Sequence, residues 1–122
     1  MSFRFGRNSS TDIGNTMEEH ACVFLQRQGL RLIDRNYRCR RGEVDLIMLD
    51  SDTLVFVEVR YRQSSRFGTA VETVGTRKQA SLSAAASHYL AHCRKQPPCR
   101  FDVIGIDGNQ RIEWIKNAFF LD

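Results

Sequence analysis

The sequence predicts an α/β fold in which helices flank a mixed central sheet. Two observations predict it: apolar residues recur at helical spacing in two separate segments, and residues 53–62, the clearest of five predicted strands, are dense in β-branched and aromatic residues. Their order along the chain is helix, three strands, helix and two strands, and such an order is typical of helices packed on a sheet. The 122 residues suit one domain and leave no room for a second core.

The first helix is predicted over residues 16–28. Thr16 and Glu19 fit a capping box, and Gly29 suits the position just after a helix. The residues that repeat at helical spacing form a stripe made of Met17, Ala21, Phe24, Leu25 and Gln28. The polar and basic residues 1–11 that precede it are predicted to be a flexible arm, so the domain is placed at residues 12–122.

Three consecutive strands are predicted over residues 30–37, 42–50 and 53–62. The third, rich in valine and aromatic residues, has the strongest β character. Ser51 and Asp52 form a tight turn between the second and third strands, which makes these two an antiparallel hairpin.

The second half of the chain repeats the alternation of helix and strand. A polar loop is predicted over residues 63–73, followed by a helix over residues 76–93. Strands are predicted over 99–106 and 111–115, and Asp107-Gly108-Asn109 between them is typical of a turn.

Composition and charge narrow the classes of protein. The formal net charge is +4 and the pI is about 9.1. No apolar run reaches the roughly 18–20 residues of a membrane span, and the N-terminus lacks a secretory signal, so a cytoplasmic protein is expected. Four cysteines show no zinc-binding spacing and are interpreted as reduced and mostly buried. Arginines lie on both sides of the acidic hairpin: Arg31, Arg35, Arg38, Arg40, Arg41, Arg60, Arg62 and Arg66.

The candidate catalytic residues lie on the hairpin formed by the second and third predicted strands. With Ser51 and Asp52 as turn residues, Asp45 lies opposite Glu58 and Glu43 lies opposite Arg60. Two facing carboxylates repel each other unless one is protonated or a cation lies between them. A divalent ion such as Mg²⁺, which takes oxygen ligands, satisfies this requirement. The alternative is that these residues form ordinary ion pairs on a solvated sheet edge.

The two halves of the hairpin resemble the bipartite PD-(D/E)-x-K nuclease signature, with Gly42-Glu43-Val44-Asp45 in the first and Val57-Glu58-Val59-Arg60 in the second. Nearly the whole chain resembles the YraN-like family of small bacterial proteins, regarded as distant relatives of archaeal Holliday-junction resolvases. Further matching segments are Asn36-Tyr37-Arg38, Lys78-Gln79, Arg100-Phe101-Asp102-Val103 and Trp114-Ile115-Lys116-Asn117-Ala118-Phe119.

The resemblance implies a restriction-endonuclease-like αβββαβ core and an Mg²⁺ or Mn²⁺ cofactor. Asp45, Glu58 and the Val59 carbonyl would be metal ligands, and Arg60 stands where the signature has lysine. Arginine stays charged, so it can stabilise a phosphate transition state but cannot act as a base.

The resemblance also places Glu18 and Gln79 near the catalytic centre, where they would orient water. Each has an alternative explanation. Glu18 is an acid in the first turn of its helix, which the macrodipole favours, and Thr76 with Gln79 fits a second capping box. Lys78 is interpreted as either a phosphate contact or a solvated lysine.

Basic residues near the hairpin are candidates for binding a nucleic-acid backbone: Arg38, Arg40 and Arg41 between the first two strands, and Arg62 and Arg66 in the loop.

The predicted function is a metal-dependent endonuclease acting on DNA, such as branched or repair intermediates. The alternatives are a non-catalytic nucleic-acid-binding module and a scaffold whose acidic hairpin is only an ion-pair network. Resolvase relatives cut as dimers, so the resemblance implies a homodimer. Asp102 is interpreted as structural, and Trp114 as either a core or a dimer contact.

Overall fold

The computed structural model describes residues 10–63 and 74–120. The helices and strands within these ranges are α1 (Ser10–Arg27), β1 (Arg31–Cys39), β2 (Gly42–Asp50), β3 (Thr53–Tyr61), α2 (Thr76–Leu90), β4 (Cys99–Ile106) and β5 (Ile112–Phe119). Most of the predicted arm, most of the predicted loop and the last two residues lie outside the described residues.

The five strands form a sheet in the order β1-β2-β3-β4-β5. Neighbouring strands are antiparallel except β3 and β4, which are parallel. Helix α2 is the crossover between these two parallel strands, which a hairpin could not join. The mixed α/β fold predicted from the sequence is confirmed, and it is consistent with a restriction-endonuclease-like core.

Each helix covers one face of the sheet. The core between α1 and the sheet consists of Met17, Ala21, Cys22, Leu25, Leu30, Leu46, Met48, Val55, Val57, Ile104 and Ile106. The core between α2 and the sheet consists of Val44, Ile47, Leu54, Phe56, Val74, Leu82, Ala85, Ala86, Leu90, Phe101 and Val103. Strands buried on both faces read as nearly continuous apolar runs, which explains the composition of β2, β3 and β4. Neither helix in the described ranges has the length and apolar character that crossing a bilayer requires.

Neither helix has the capping box that the sequence predicted at its N-terminal end. Helix α1 begins at Ser10, so Thr16 and Glu19 lie inside it and the capping box predicted there is wrong. Helix α2 is capped by Gly75 without a side-chain hydrogen bond, so the second capping box is also wrong. Instead, the Gln79 side-chain amide donates to the Val74 carbonyl at 2.9 Å.

Smaller corrections concern the helix ends and the cysteines. Helix α2 ends at Leu90 rather than at residue 93, and Gln28 lies exposed beyond the end of α1. The cysteines are free, as predicted, but only Cys22 is buried, whereas the other three are half-buried.

The hairpin of β2 and β3 has the predicted register as far as the pair Leu46 and Val57, where the described ladder ends. Beyond that point β2 no longer alternates regularly. Leu46 packs in the α1-side cluster, but Val44, two residues before it, packs in the α2-side cluster with Ile47. The departure is a local distortion of β2 around Asp45, because a regular strand would keep residues 44 and 46 on one face.

The β1–β2 turn is packed directly on α2. A β-carbon added to Gly42 would lie 1.9 Å from the Ser81 carbonyl oxygen. The Glu43 amide also donates to the Ser81 hydroxyl at 3.2 Å. Glycine at position 42 therefore allows the acidic hairpin to sit against the helix.

Replacing Gly42 with Ala should lower the free energy of unfolding by about 1–3 kcal/mol, because backbone atoms would have to move apart. Gly14→Ala is the control, since it has open space around it and alanine is favoured in a helix by up to about 1 kcal/mol. Urea unfolding followed by circular dichroism measures both. Equal stability of the two variants would contradict the close approach.

Candidate active site

The strands β2 and β3 separate where the acidic residues begin. Past the Leu46–Val57 pair, the Val59 amide donates to Asp45 Oδ2 at 2.9 Å instead of pairing with a backbone carbonyl of β2. The side chain of Asp45 therefore fills the opening between the strands. This bond fixes one carboxylate oxygen and leaves the other for a further partner.

Three carboxyl groups meet at this opening. Asp45 forms side-chain hydrogen bonds with Glu18 from α1 and with Glu58 from β3. Asn36 of β1 forms a side-chain hydrogen bond with Glu18 as well. Two carboxyl groups can bond to each other only when a proton lies between them, so the charge of the three acids must be neutralised by shared protons or by cations.

Glu58 is the most constrained of these acids. It is 2% exposed, and its Oε1 atom is buried with no hydrogen-bond partner among the described residues. Burial and the neighbouring Asp45 raise the pKa of Glu58 to about 8, against the opposing effects of Lys78 and Arg60. A buried carboxylate oxygen without a hydrogen bond is rare and costly in native proteins, so it requires an explanation.

Glu18 is affected by the same charges. Burial, followed by the proximity of Asp45, raises its pKa to about 7, and the hydrogen bond from Asn36 opposes this shift. Both pKa values therefore lie near neutrality. Pairs of acids with pKa values raised into this range are common at catalytic centres.

Cations surround the carboxyl groups. Arg60 Nη1 lies 3.3 Å from Glu58 Oε2, and Lys78 Nζ lies 3.7 Å from Glu58 Oε1. Lys78 Nζ also lies 3.6 Å from Glu43 Oε2, and Arg38 Nε lies 3.3 Å from Glu43 Oε1. Glu43 thus pairs with Arg38 and Lys78, whereas the sequence placed it opposite Arg60.

The donor set suits a hard divalent cation. Glu58 Oε1 has an unsatisfied buried oxygen, and Asp45 lies beside it with one oxygen already oriented by Val59. Mg²⁺ is often held by one or two carboxylates, with water and phosphate completing its shell. In the described ranges, no group of three or more His, Cys, Asp or Glu side chains is arranged to hold a metal ion. The fit therefore rests on the pair of Asp45 and Glu58.

Comparison with known proteins identifies the family. The profile of "Uncharacterised protein family UPF0102" matches residues 17–106. The chain belongs to the UPF0102 family. This family corresponds to the YraN-like resemblance in the sequence, and its matched segment includes Glu18, Asp45, Glu58 and Lys78.

Relatives match along almost the whole chain. A UPF0102 protein of Nitrosomonas eutropha is 54% identical over 112 residues, covering 92% of this chain and 97% of the relative. A UPF0102 protein of Pseudomonas syringae pv. syringae is 51% identical over 119 residues, covering 93% of this chain and 97% of the relative. Another, from Nitrosococcus oceani, is 51% identical over 113 residues, with 88% of this chain and 91% of the relative covered.

The remaining predicted site residues of this UPF0102 chain lie around the centre or beyond it. Gln79 contacts the Val74 carbonyl. Arg40 and Arg41 are exposed at the β1–β2 turn and line an open cavity with His88. Arg62 is half-buried, and its backbone amide donates to the Ile106 carbonyl at 2.9 Å. Arg66 lies outside the described residues.

Two residues of the centre were not assigned this role from the sequence. Asn36 has φ 50° within β1, a conformation that asparagine tolerates better than most residues, and it bonds to Glu18. Lys78 was interpreted as a phosphate contact or a solvated lysine, but it bridges Glu43 and Glu58. An asparagine in the middle of a strand is the sequence feature that could have drawn attention to Asn36.

A second buried aspartate shows what a purely structural site looks like in this fold. Asp102 is fully buried, and it accepts hydrogen bonds from Arg100 Nε at 3.0 Å, Trp114 Nε1 at 2.9 Å and the Asn117 amide at 2.9 Å. Its carboxylate is fully satisfied, as the structural interpretation of the sequence expected. Trp114 packs edge to face with Phe24 in the same region, at a centroid distance of 6.0 Å, so it is a contact within the chain.

Proposed function

We propose that this protein is a Mg²⁺- or Mn²⁺-dependent endonuclease that hydrolyses phosphodiester bonds of DNA, with branched or repair intermediates as substrates. The observation that carries the proposal is the buried Glu58 carboxyl, which lies against Asp45 with one oxygen lacking a hydrogen bond and with cations on its outer side. A divalent ion held by Asp45 and Glu58 would satisfy this oxygen and offset the repulsion between the two acids.

Asp45, Glu58 and the Val59 carbonyl would hold the ion. A metal bound there supplies a Lewis acid that polarises the phosphate and lowers the pKa of water. The contribution of the chain is to orient the ligands: the Val59 amide holds Asp45 Oδ2, and the buried strand β3 fixes Glu58.

Arg60 and Glu18 would act on the substrate and on the attacking water. Arg60 is about one-third exposed in its side chain, so its guanidinium can face both Glu58 and a phosphate, where it would stabilise the developing negative charge. Glu18, with a pKa raised to about 7, is suited to orienting the water and taking its proton. Gln79 would contribute by fixing the start of α2 through its bond to Val74.

Exposed arginines would position the DNA. Arg38, Arg40 and Arg41 lie at the β1–β2 turn, which Gly42 holds against α2 beside the acidic centre. Arginine at this place can pair with backbone phosphates while the carboxylates hold the metal. Such contacts predict binding that weakens steeply with salt.

Incubation of the protein with labelled four-way-junction, duplex and single-stranded DNA in MnCl₂ or MgCl₂ should produce cleavage that EDTA abolishes. Preference for the junction would identify branched substrates. Gel-shift measurements in Ca²⁺ would report binding without relying on cleavage. Binding without cutting in either metal would overturn the nuclease proposal and favour a non-catalytic module, which the arginine in place of the signature lysine makes the second candidate. If the protein neither binds nor cuts any of these DNA molecules, both the nuclease and the non-catalytic binding module are overturned.

A further inference from the structure

Lys78 holds an unusual position for a cation. It is the third residue of α2, where the helix macrodipole favours anions and disfavours an ammonium group. The first turn of α2 contains no acid that could compensate. The partners of Lys78 are instead the carboxylates of the sheet, Glu43 on β2 and Glu58 on β3, at 3.6 and 3.7 Å.

The oxygen that Lys78 approaches is the one that a metal would use. Glu58 Oε1 is buried and has no hydrogen-bond partner among the described residues, and 3.7 Å from the Lys78 nitrogen is an ion-pair distance longer than a good hydrogen bond. The ammonium group therefore neutralises charge at this oxygen without satisfying it.

We propose that Lys78 is a tethered counter-cation of the carboxylate centre, which occupies the cation position at Glu58 in the metal-free protein and is displaced when a divalent ion binds there. This inference rests on the proposed metal site. The side chain of Lys78 is 27% exposed, so its flexible stem can carry the ammonium outward toward Glu43, which already shares it, or toward a bound phosphate.

Competition between the Lys78 ammonium group and a divalent ion at Glu58 should weaken metal binding. A charge within about 4–6 Å of a site typically changes the affinity for a charged partner by one to three powers of ten. Removing the ammonium should therefore tighten Mn²⁺ binding, even though it also raises the proton affinity of Glu58. A divalent ion is repelled twice as strongly by the ammonium as a proton is.

Isothermal titration of the metal-free protein with MnCl₂ at pH 8.5 tests the proposal without any nuclease assay. Lys78→Met, which keeps the length of the side chain, should lower the Kd for Mn²⁺ about tenfold. Lys78→Gln provides a second neutral variant in case the first does not fold. Asp45→Asn identifies heat that arises from the centre, because this variant should lose it.

Arg38→Met is the matched control. It removes the same charge from the same neighbourhood, but Arg38 contacts Glu43 rather than Glu58, and its side chain is 72% exposed. At 0.5 M NaCl the effect of an exposed charge should be screened, whereas the effect of Lys78 should persist.

The outcomes separate this inference from the proposed function. If the wild type binds Mn²⁺ through Asp45 and the Lys78 variants bind no tighter, or bind more weakly, the counter-cation is overturned and the metal site stands. Equal gains in the Arg38 and Lys78 variants that vanish in salt would also overturn it. If neither the wild type nor the variants bind millimolar Mn²⁺, both the inference and the metal-dependent nuclease are overturned.

Discussion

Replacing Asp45 with Asn or Glu58 with Gln should reduce Mn²⁺-dependent DNA cleavage by at least about a hundredfold, the effect of removing a key electrostatic group from a catalytic site. Both changes keep the shape of the side chain and remove a charge that would hold the metal. Asparagine can still accept the hydrogen bond from the Val59 amide, so the opening between β2 and β3 should keep its geometry. Initial rates on the preferred DNA substrate, measured over a range of Mn²⁺ concentrations, give the result.

Glu19→Gln is the control for this loss. Glu19 neighbours Glu18 on α1, but its partner is Arg35, at 2.6 Å, on the exposed side of the helix. Cleavage by this variant should stay within about twofold of the wild type, because an exposed ion pair is worth only about 0–1 kcal/mol. DNA binding in Ca²⁺ should be retained by the variants at positions 45 and 58. If those variants cut DNA at the wild-type rate, the activity does not come from this centre.

The fold and the hairpin register could be predicted from the sequence because they follow from periodicity. The dense apolar pattern of β3 and the two-residue turn at Ser51 and Asp52 determine which residues face each other, and the structure has that register up to Leu46 and Val57. Because β2 and β3 are buried on both faces, the register depends on the turn, whose type and length fix the pairing in a hairpin.

The details of the centre could not be predicted in this way, because they depend on departures from regularity. The pairing of β2 and β3 ends where the Asp45 side chain accepts the Val59 amide, and regular alternation cannot describe that point. Asp102 makes the same kind of contact, because its carboxylate accepts a hydrogen bond from the Asn117 amide where the register of β4 and β5 shifts. Both aspartates thus replace a backbone partner where a ladder of the sheet is interrupted. They differ in their partners, since Asp102 has Arg100 and Trp114 as donors, whereas Asp45 has two other acids.

The role of Lys78 depends on tertiary distance. Sequence patterns place it in the first turn of a helix, where a solvated side chain is the ordinary expectation. Its contacts with Glu43 and Glu58 arise because Gly42 lets the hairpin approach the backbone of α2 at Ser81. Because Gly42 has no side chain, Lys78 of α2 can lie within ion-pair distance of Glu43 on β2 and Glu58 on β3.

The stability of the metal-free protein should fall as the pH rises from about 5 to 8.5. In the folded protein the pKa of Glu58 is raised from 4.5 to about 8, so between these values the folded state holds a proton that the unfolded chain has lost. Stability is therefore greatest below the unfolded pKa and is lost as the pH approaches the folded pKa. For this buried carboxyl the loss should be of the order of 4 kcal/mol, because about three pH units separate pH 5 from the folded pKa and each is worth about 1.4 kcal/mol.

Glu58→Gln should remove the part of this slope that Glu58 contributes, because glutamine has no proton to lose and does not repel Asp45. The raised pKa of Glu18 should leave a smaller slope of the same sign in the variant. In EDTA, urea unfolding at pH 5, 7 and 8.5 should show the variant overtaking the wild type as the pH rises. Glu19→Gln should keep the slope of the wild type, since its partner is the exposed Arg35. Added Mn²⁺ at pH 8.5 should then stabilise the wild type more than Glu58→Gln, because a ligand that binds the folded state stabilises it. If the wild type instead gained stability over this range while Glu58→Gln ran parallel to it, Glu58 would have to be ionised and satisfied by its own neighbours, and the need for a metal at this oxygen would disappear.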